Sequence, residues 1–167
     1  SSAANLKAGE TATITFTISE SVSDFVKEDI TVSGGTLGSV AGSGTSYTVV
    51  FTPTASSTAN GVISVADTKF TDAAGNTNAD GSDANNTETI TVDTERPTIA
   101  LSSSAANLKA GETATITFTL SESASDFVVG DITVSGGTLG SFSGSGTSYT
   151  VVFTPTASST ANGVISV

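Results

Sequence analysis

An internal repeat of 102 residues constrains this chain more than any other feature of its sequence. The run Ser-Ser-Ala-Ala-Asn-Leu-Lys-Ala-Gly-Glu at residues 1–10 returns at residues 103–112, and the alignment continues without a gap to Val65 and Val167. Of the 65 aligned pairs 6 differ, which leaves 59 identical. The six differing pairs are Ile18/Leu120, Val22/Ala124, Lys27/Val129, Glu28/Gly130, Val40/Phe142 and Ala41/Ser143. A length of 167 residues allows one or two domains, and the repeat selects two copies of one domain.

The segment Asp93–Pro97 separates the two copies. We expect copy one over residues 1–94, a linker over residues 95–97 and copy two over residues 98–167. The offset indicates that copy one lacks a first strand like the one expected around Ile99. It also indicates that copy two lacks the long polar loop and the last strand of copy one. Because unpaired sheet edges would remain exposed, copy two is predicted to be the less stable half.

Alternation of apolar and polar residues predicts β-strands in both copies, whereas residues 67–86 lack this periodicity and are predicted to form a long loop. In residues 11–19, Thr alternates with Ala12, Ile14, Phe16 and Ile18, which is the period of a half-buried antiparallel strand. Further strands are expected at residues 29–33, 36–41, 45–52, 61–65 and 87–93, with a turn at residues 42–44. Seven short strands without helical periodicity predict an all-β fold, with an immunoglobulin-like β-sandwich in each repeat.

Composition excludes several classes of function. The chain has no His and no Cys, so it offers no Ser-His or Cys-His catalytic pair, no disulfide and no thiolate metal site. Its net charge of −11 argues against binding to nucleic acid or to an anionic membrane surface, because both need clustered basic residues. No apolar run approaches the roughly 18 residues of a spanning helix, so membrane insertion is not expected.

Five motifs in order identify a family that this sequence resembles. They are Leu-Lys-Ala-Gly-Glu-Thr-Ala-Thr-Ile-Thr-Phe-Thr at residues 6–17, Asp-Ile-Thr-Val-Ser-Gly-Gly-Thr-Leu at 29–37, Tyr-Thr-Val-Val-Phe-Thr-Pro-Thr-Ala at 47–55, Phe-Thr-Asp-Ala-Ala-Gly-Asn at 70–76 and Ile-Thr-Val-Asp-Thr-Glu-Arg-Pro-Thr at 90–98. Together they resemble the bacterial immunoglobulin-like repeats of very large surface adhesins, over the whole chain.

The resemblance implies a non-enzymatic spacer that extends a binding tip away from the bacterial surface. It implies an extracellular location, export by type I secretion, and neighbouring repeats of the same chain as partners. It also implies calcium ions at or near the domain junctions, where they would stiffen the array.

Acidic and amide side chains are the candidate calcium ligands, because calcium prefers six to eight oxygen ligands. In an immunoglobulin-like sandwich the loops after the second, fourth and sixth strands share one pole, so residues on them are expected to converge. The acidic hinge residues are expected to face an acidic residue of copy two. The predicted metal ligands are Glu20, Asp67, Asp72, Asn76, Asp93, Glu95 and Glu122. The alternative is a solvated acidic loop and linker that bind no ion, and the loop matches neither the EF-hand nor the nonapeptide calcium pattern.

Two other functions stay open at this stage. One is an immunoglobulin-like module that binds a glycan or a host protein, and the other is an accessory domain of a secreted enzyme. Tyr47 and Tyr149 hold matching strand positions that are interpreted as core, so they do not predict a sugar platform. Glu20 and Asp29 form a formal carboxylate pair, but a glycosidase needs an aromatic-lined cleft and the chain has no Trp.

Overall fold

Strands and their connections make up nearly the whole chain in the computed structural model, which describes residues 1–167. Three single 3-10 turns are its only helical segments. None of them has the length and hydrophobicity that a membrane span requires. The all-β prediction is confirmed. The strands group into two units, Ser1–Arg96 and Pro97–Val167, each of which is described by itself.

Unit 1 is a two-sheet sandwich of seven strands. They are β1 (Asn5–Lys7), β2 (Ala12–Val22), β3 (Ile30–Ser33), β4 (Gly35–Leu37), β5 (Ala41–Pro53), β6 (Gly61–Val65) and β7 (Thr87–Asp93). One sheet has the order β1-β7-β6-β3 and the other the order β2-β5-β4. All neighbours pair antiparallel except β1, which runs parallel to β7. This topology is the predicted immunoglobulin-like sandwich.

The core of unit 1 lies between its two sheets and follows the predicted alternation. The buried strand residues are Leu6, Ala12, Ile14, Val22, Ile30, Leu37, Tyr47, Val49, Phe51, Ile63, Val65, Ile90 and Val92. Phe51 is fully buried at the centre. A Cβ at Gly35 or at Gly61 would overlap the Phe51 ring, so both positions require glycine for the ring to fit.

Unit 2 has five strands. They are β8 (Ile99–Ser103), β9 (Ala114–Ala124), β10 (Thr133–Ser135), β11 (Gly137–Pro155) and β12 (Val164–Ser166). One sheet has the order β11-β9-β8, and β10 pairs with β12 in the other. Its core uses repeat equivalents of the unit 1 core, among them Val151 and Phe153, and adds Phe118 and Leu120, whose equivalents in unit 1 are only partly buried. The main difference is β8, which pairs with β9 where unit 1 has no strand beside β2.

The predicted turn at residues 42–44 is wrong. Gly42 and Gly44 lie inside β5, where their φ angles are +120° and +68°. Positive φ lets the strand kink without ending, and its register with β2 shifts between Thr17 and Val22. The strand expected over residues 36–41 is accordingly replaced by the shorter β4 and the start of β5.

Candidate functional site

The acidic loop, residues 66–86, connects β6 to β7, and two of its carboxylates, Asp67 and Asp72, hydrogen-bond within it. The Asp72 Oδ1 atom accepts hydrogen bonds from the backbone nitrogens of Ala74 at 2.9 Å and Asn76 at 2.8 Å. Its Oδ2 atom accepts from Asn76 Nδ2 at 2.8 Å. The Asn76 side chain, followed by its backbone N–H, lowers the pKa of Asp72 because these bonds favour the carboxylate. Asp72 therefore closes a tight turn.

Asn78 and Asp67 hold the rest of the acidic loop. The Asn78 Oδ1 atom accepts from the backbone nitrogen of Lys69 at 2.7 Å, and its Nδ2 atom donates to the Ala66 carbonyl at 2.8 Å. The Asp67 carboxylate accepts from the Gly81 N–H. These bonds satisfy backbone groups that no strand pairs, which is the usual structural use of Asp and Asn in turns.

Asp24 ties the acidic loop to the connection between β2 and β3. Its Oδ2 atom accepts from the Thr71 backbone nitrogen at 2.9 Å and from Thr71 Oγ1 at 2.7 Å. The Thr71 hydroxyl lowers the pKa of Asp24 more than any other group.

An aromatic contact joins the same two loops, because Phe70 packs edge-on against Phe25 with ring centroids 5.4 Å apart. The two loops lie at one pole as predicted, and Asp24, which was not among the predicted site residues, joins them.

A groove of about 780 Å³ runs along β2 in unit 1. The apolar side chains of Ile14, Phe16 and Ile18 line one wall. Its polar lining includes Glu20, Asp72 and Asn76, three of the seven predicted calcium ligands. Asp67 does not line the groove.

The predicted calcium ligands do not form a complete site within either unit. No three His, Cys, Asp or Glu side chains lie close enough together to hold a metal ion. Asp93 and Glu95 are exposed at the end of β7, and Glu122 is half-buried in β9. Asp72 and Asn76 already bond to each other. Calcium takes six to eight oxygen ligands, and the predicted ligands do not bring such a set together within either unit. Calcium binding therefore stays a prediction.

Thr94 is a buried polar residue that was not among the predicted site residues. It lies in the hinge segment and is 4 % exposed. Its hydroxyl donates to the Thr54 carbonyl at 2.6 Å and accepts from the Ser57 backbone nitrogen at 3.0 Å. Thr is common at the solvent-facing strand positions of this chain, so the residue type did not indicate that Thr94 would be buried. The segment Asp93–Pro97 therefore contains a residue, Thr94, that is hydrogen-bonded to the body of unit 1.

A family model described as bacterial Ig-like domain matches residues 1–89 and again residues 93–167. The chain belongs to the bacterial Ig-like domain family. The family match confirms the immunoglobulin-like part of the resemblance and agrees with the strand topology of unit 1. Searches of curated proteins and of solved structures gave no match. Bacterial Ig-like domains are in general non-catalytic structural modules.

Proposed function

We propose that this bacterial Ig-like chain is a structural spacer of a bacterial cell-surface adhesin. In this proposal it lies outside the cell and holds a distal binding region away from the surface. The observation that supports it is the near-identity of the copies, with 59 of 65 pairs the same. Near-identical modules supply length and repetition, whereas specialised binding modules are expected to diverge where they bind.

The strands have the dimensions that a spacer needs. β2 and β9 each contain 11 residues, which corresponds to about 36 Å at about 3.3 Å per residue. Each further copy of the 102-residue period would therefore add a few nanometres to an extended array. The negative charge of −11 favours solubility and disfavours association between arrays.

Small-angle scattering of tandem arrays tests the spacer proposal. Arrays of one, two and four copies of the 102-residue period would be compared, with consecutive copies joined as they are in this sequence. A spacer predicts that the maximum dimension rises linearly, by about 3–4 nm per copy. A dimension that grows with about the square root of copy number would describe a flexible chain and would contradict the proposal.

Calcium is the ion that we propose to stiffen such arrays. The chain's strong negative charge and the acidic residues along the groove support this choice. The test is the melting temperature of the arrays in millimolar calcium and in excess chelator, with magnesium as the control ion. An unchanged melting temperature would contradict calcium binding and would leave the spacer proposal standing.

One observation favours a second candidate, recognition of a glycan or host protein at one end of the domain. Four of the six positions that differ between copies line one surface cavity in unit 1, namely Val22, Lys27, Glu28 and Val40. At this end, copy two replaces Lys27 and Glu28 by Val129 and Gly130. If recognition occurs here, exchanging residues 27–28 for the copy two pair will change binding to glycan arrays or host cells. A spacer predicts no change.

A further inference from the structure

Two strands of unit 1, β1 and β7, lie side by side and run in the same direction. They pair in parallel, with Leu6 opposite Val92, whereas every other pairing in the unit is antiparallel. The chain therefore enters this pair at Asn5, at one end, and leaves it after Asp93, at the other. Tension that pulls these two ends apart slides β1 along β7 and does not peel one strand from the other.

Backbone hydrogen bonds hold the two strands in register. The Thr91 N–H donates to the Ala4 carbonyl at 2.9 Å, directly before β1 begins. The Lys7 N–H is used outside the pair, because it donates to Glu10 Oε2 at 3.0 Å. In a parallel ladder alternate residues of a strand bond to the partner strand, so the Leu6 backbone is the one in β1 that faces β7.

Side-chain burial opposes the sliding of the same pair. Leu6 is 3 % and Val92 is 2 % exposed, and both belong to the core of unit 1. Successive side chains of a strand point to opposite faces, so a slip by one residue would turn Leu6 out of the core and bring in Asn5 or Lys7, which are exposed. Sliding therefore costs the burial of Leu6 as well as the hydrogen bonds.

The end of β7 is fastened again immediately after the strand. Thr94 Oγ1 donates to the Thr54 carbonyl at 2.6 Å, and the Thr94 N–H donates to the Ser57 carbonyl at 2.9 Å. Tension that arrives from the segment after Asp93 loads these bonds before it reaches β7. The hydrogen bonds of Thr94 and those of the β1–β7 pair thus resist the same displacement.

We propose that β1 and β7 form a mechanical clamp, which lets the domain carry tension without unfolding. This proposal rests on the spacer function, because a spacer between a cell surface and a bound partner is placed under tension. Sliding breaks all bonds of the pair within about one residue of travel, roughly 3.3 Å, whereas unzipping lengthens the tether by about 6.6 Å for each residue pair that opens. The pair has three such residue pairs, so unzipping spreads the same loss of free energy over roughly 20 Å. Because force is free energy divided by distance, the sliding geometry resists the larger force.

Single-molecule pulling on the full chain tests the clamp in two directions. The chain has no Cys, so two introduced cysteines give unique attachment sites for handles. The sliding variant carries Ala4→Cys and Glu95→Cys, and the unzipping variant carries Ala8→Cys and Glu95→Cys, at positions that are all exposed. Ala4 precedes β1 and Ala8 follows it, so the two variants load the same strand pair from opposite ends of β1. The unfolding force is expected to be at least about twofold higher in the sliding variant.

Two core truncations separate the clamp from general stability. Leu6→Ala removes the buried side chain of β1, and Ile30→Ala removes a buried side chain of β3, which pairs with neither β1 nor β7. Both changes are expected to destabilise unit 1, but only Leu6→Ala is expected to lower the ratio of the sliding force to the unzipping force.

The clamp is overturned if the two directions give equal forces in the chain with an unchanged core. It is also overturned if Ile30→Ala lowers the force ratio as much as Leu6→Ala does. Equal forces would leave the linear growth of the arrays in scattering, and with it the spacer proposal, intact.

Discussion

Thr94 and Ser57 are joined by hydrogen bonds in both directions. The Thr94 N–H donates to the Ser57 carbonyl at 2.9 Å, and the Ser57 N–H donates to the Thr94 hydroxyl at 3.0 Å. The pairing ties the end of β7 to the connection between β5 and β6. Thr94 lies between Asp93 and Glu95, two of the predicted calcium ligands.

Replacing Thr94 by Val is expected to lower the free energy of unfolding of unit 1 by about 1–3 kcal/mol, because the Thr54 carbonyl and the Ser57 N–H lose a buried partner. Hydrogen exchange at the Ile90 amide, in a central strand, measures this loss. The control is Thr91→Val on the exposed face of β7, which is expected to change stability by less than about 0.5 kcal/mol. Equal losses in the two variants would show that the hydroxyl is not responsible.

Two of the differences between the copies are expected to compensate each other. Val22 and Val40 line one cavity in unit 1, and copy two has the smaller Ala124 and the larger Phe142. In unit 2 the Phe142 ring stacks on Tyr149 with centroids 5.6 Å apart. Val40→Phe alone is expected to destabilise unit 1 by about 1–3 kcal/mol through overpacking. Adding Val22→Ala is expected to recover at least about 0.5 kcal/mol of that loss.

A double-mutant cycle in urea checks this compensation. The four proteins are the parent chain, the two single variants and the double variant. Strictly additive losses would mean that the two positions do not share space, and the compensation would then be rejected.

Two buried tyrosines carry equivalent hydrogen bonds in the two units. Tyr47 Oη donates to the Val22 carbonyl and Tyr149 Oη donates to the Ala124 carbonyl, both at 2.7 Å. We expect Tyr47→Phe to destabilise unit 1 by about 0.5–1.5 kcal/mol and Tyr149→Phe to do the same to unit 2. Calorimetry of both variants checks this, since each change should move only the transition of its own unit. A loss confined to one variant would contradict the equivalence.

The acidic loop is expected to loosen in acid. Hydrogen bonds from Thr71 and Asn76 hold the pKa of Asp24 and Asp72 below the ordinary value of 3.8. A carboxyl with a lower pKa in the folded state stabilises the fold above its unfolded pKa. That contribution is lost as the pH falls through the lower folded pKa. The loop is therefore expected to keep its hydrogen bonds above about pH 4 and to lose them below 3.8.

Nuclear magnetic resonance titration of the Thr71 amide between pH 2 and 6 measures this change. Its midpoint is expected below 3.8. Asp24→Asn should abolish the titration of this amide, and the repeat-equivalent variant Asp126→Asn should leave it unchanged. A midpoint above 3.8 would mean that Thr71 does not favour the Asp24 carboxylate.

The alternating pattern predicted the strands of the core because period-two burial is a local property. Tyr47, Val49 and Phe51 are all buried as expected. The pattern could not predict whether a strand finds a partner. Asn5–Lys7 forms β1 beside β7, whereas the identical residues 107–109 form no strand in unit 2. Leu6 is accordingly 3 % exposed, and Leu108 is only partly buried.

The sequence predicted where the residues of the candidate site lie better than it predicted what their side chains bond to. The shared pole of an immunoglobulin-like sandwich placed Glu20, Asp72 and Asn76 at one groove. Residue type could not show that Asp72 closes a turn by bonding to Asn76. Asp and Asn are common both as calcium ligands and as turn residues, so the sequence does not distinguish the two roles. The roles of Asp24 and Thr94 depend on partners more than 30 residues away in sequence, which local patterns do not reveal.

The near-identity of β2 and β9 has a consequence for the kinetics of folding. In the unfolded chain, β8 meets two acceptor strands whose sequences differ only at Ile18 and Leu120 between residues 12–20 and 114–122. Pairing with β2 forms a non-native sheet that must dissociate before β9 is covered, and such exchange between like domains is a common misassembly of repeat proteins. Refolding is therefore expected to show a slow phase. Repetition at this level of identity lengthens the protein at a cost in folding speed.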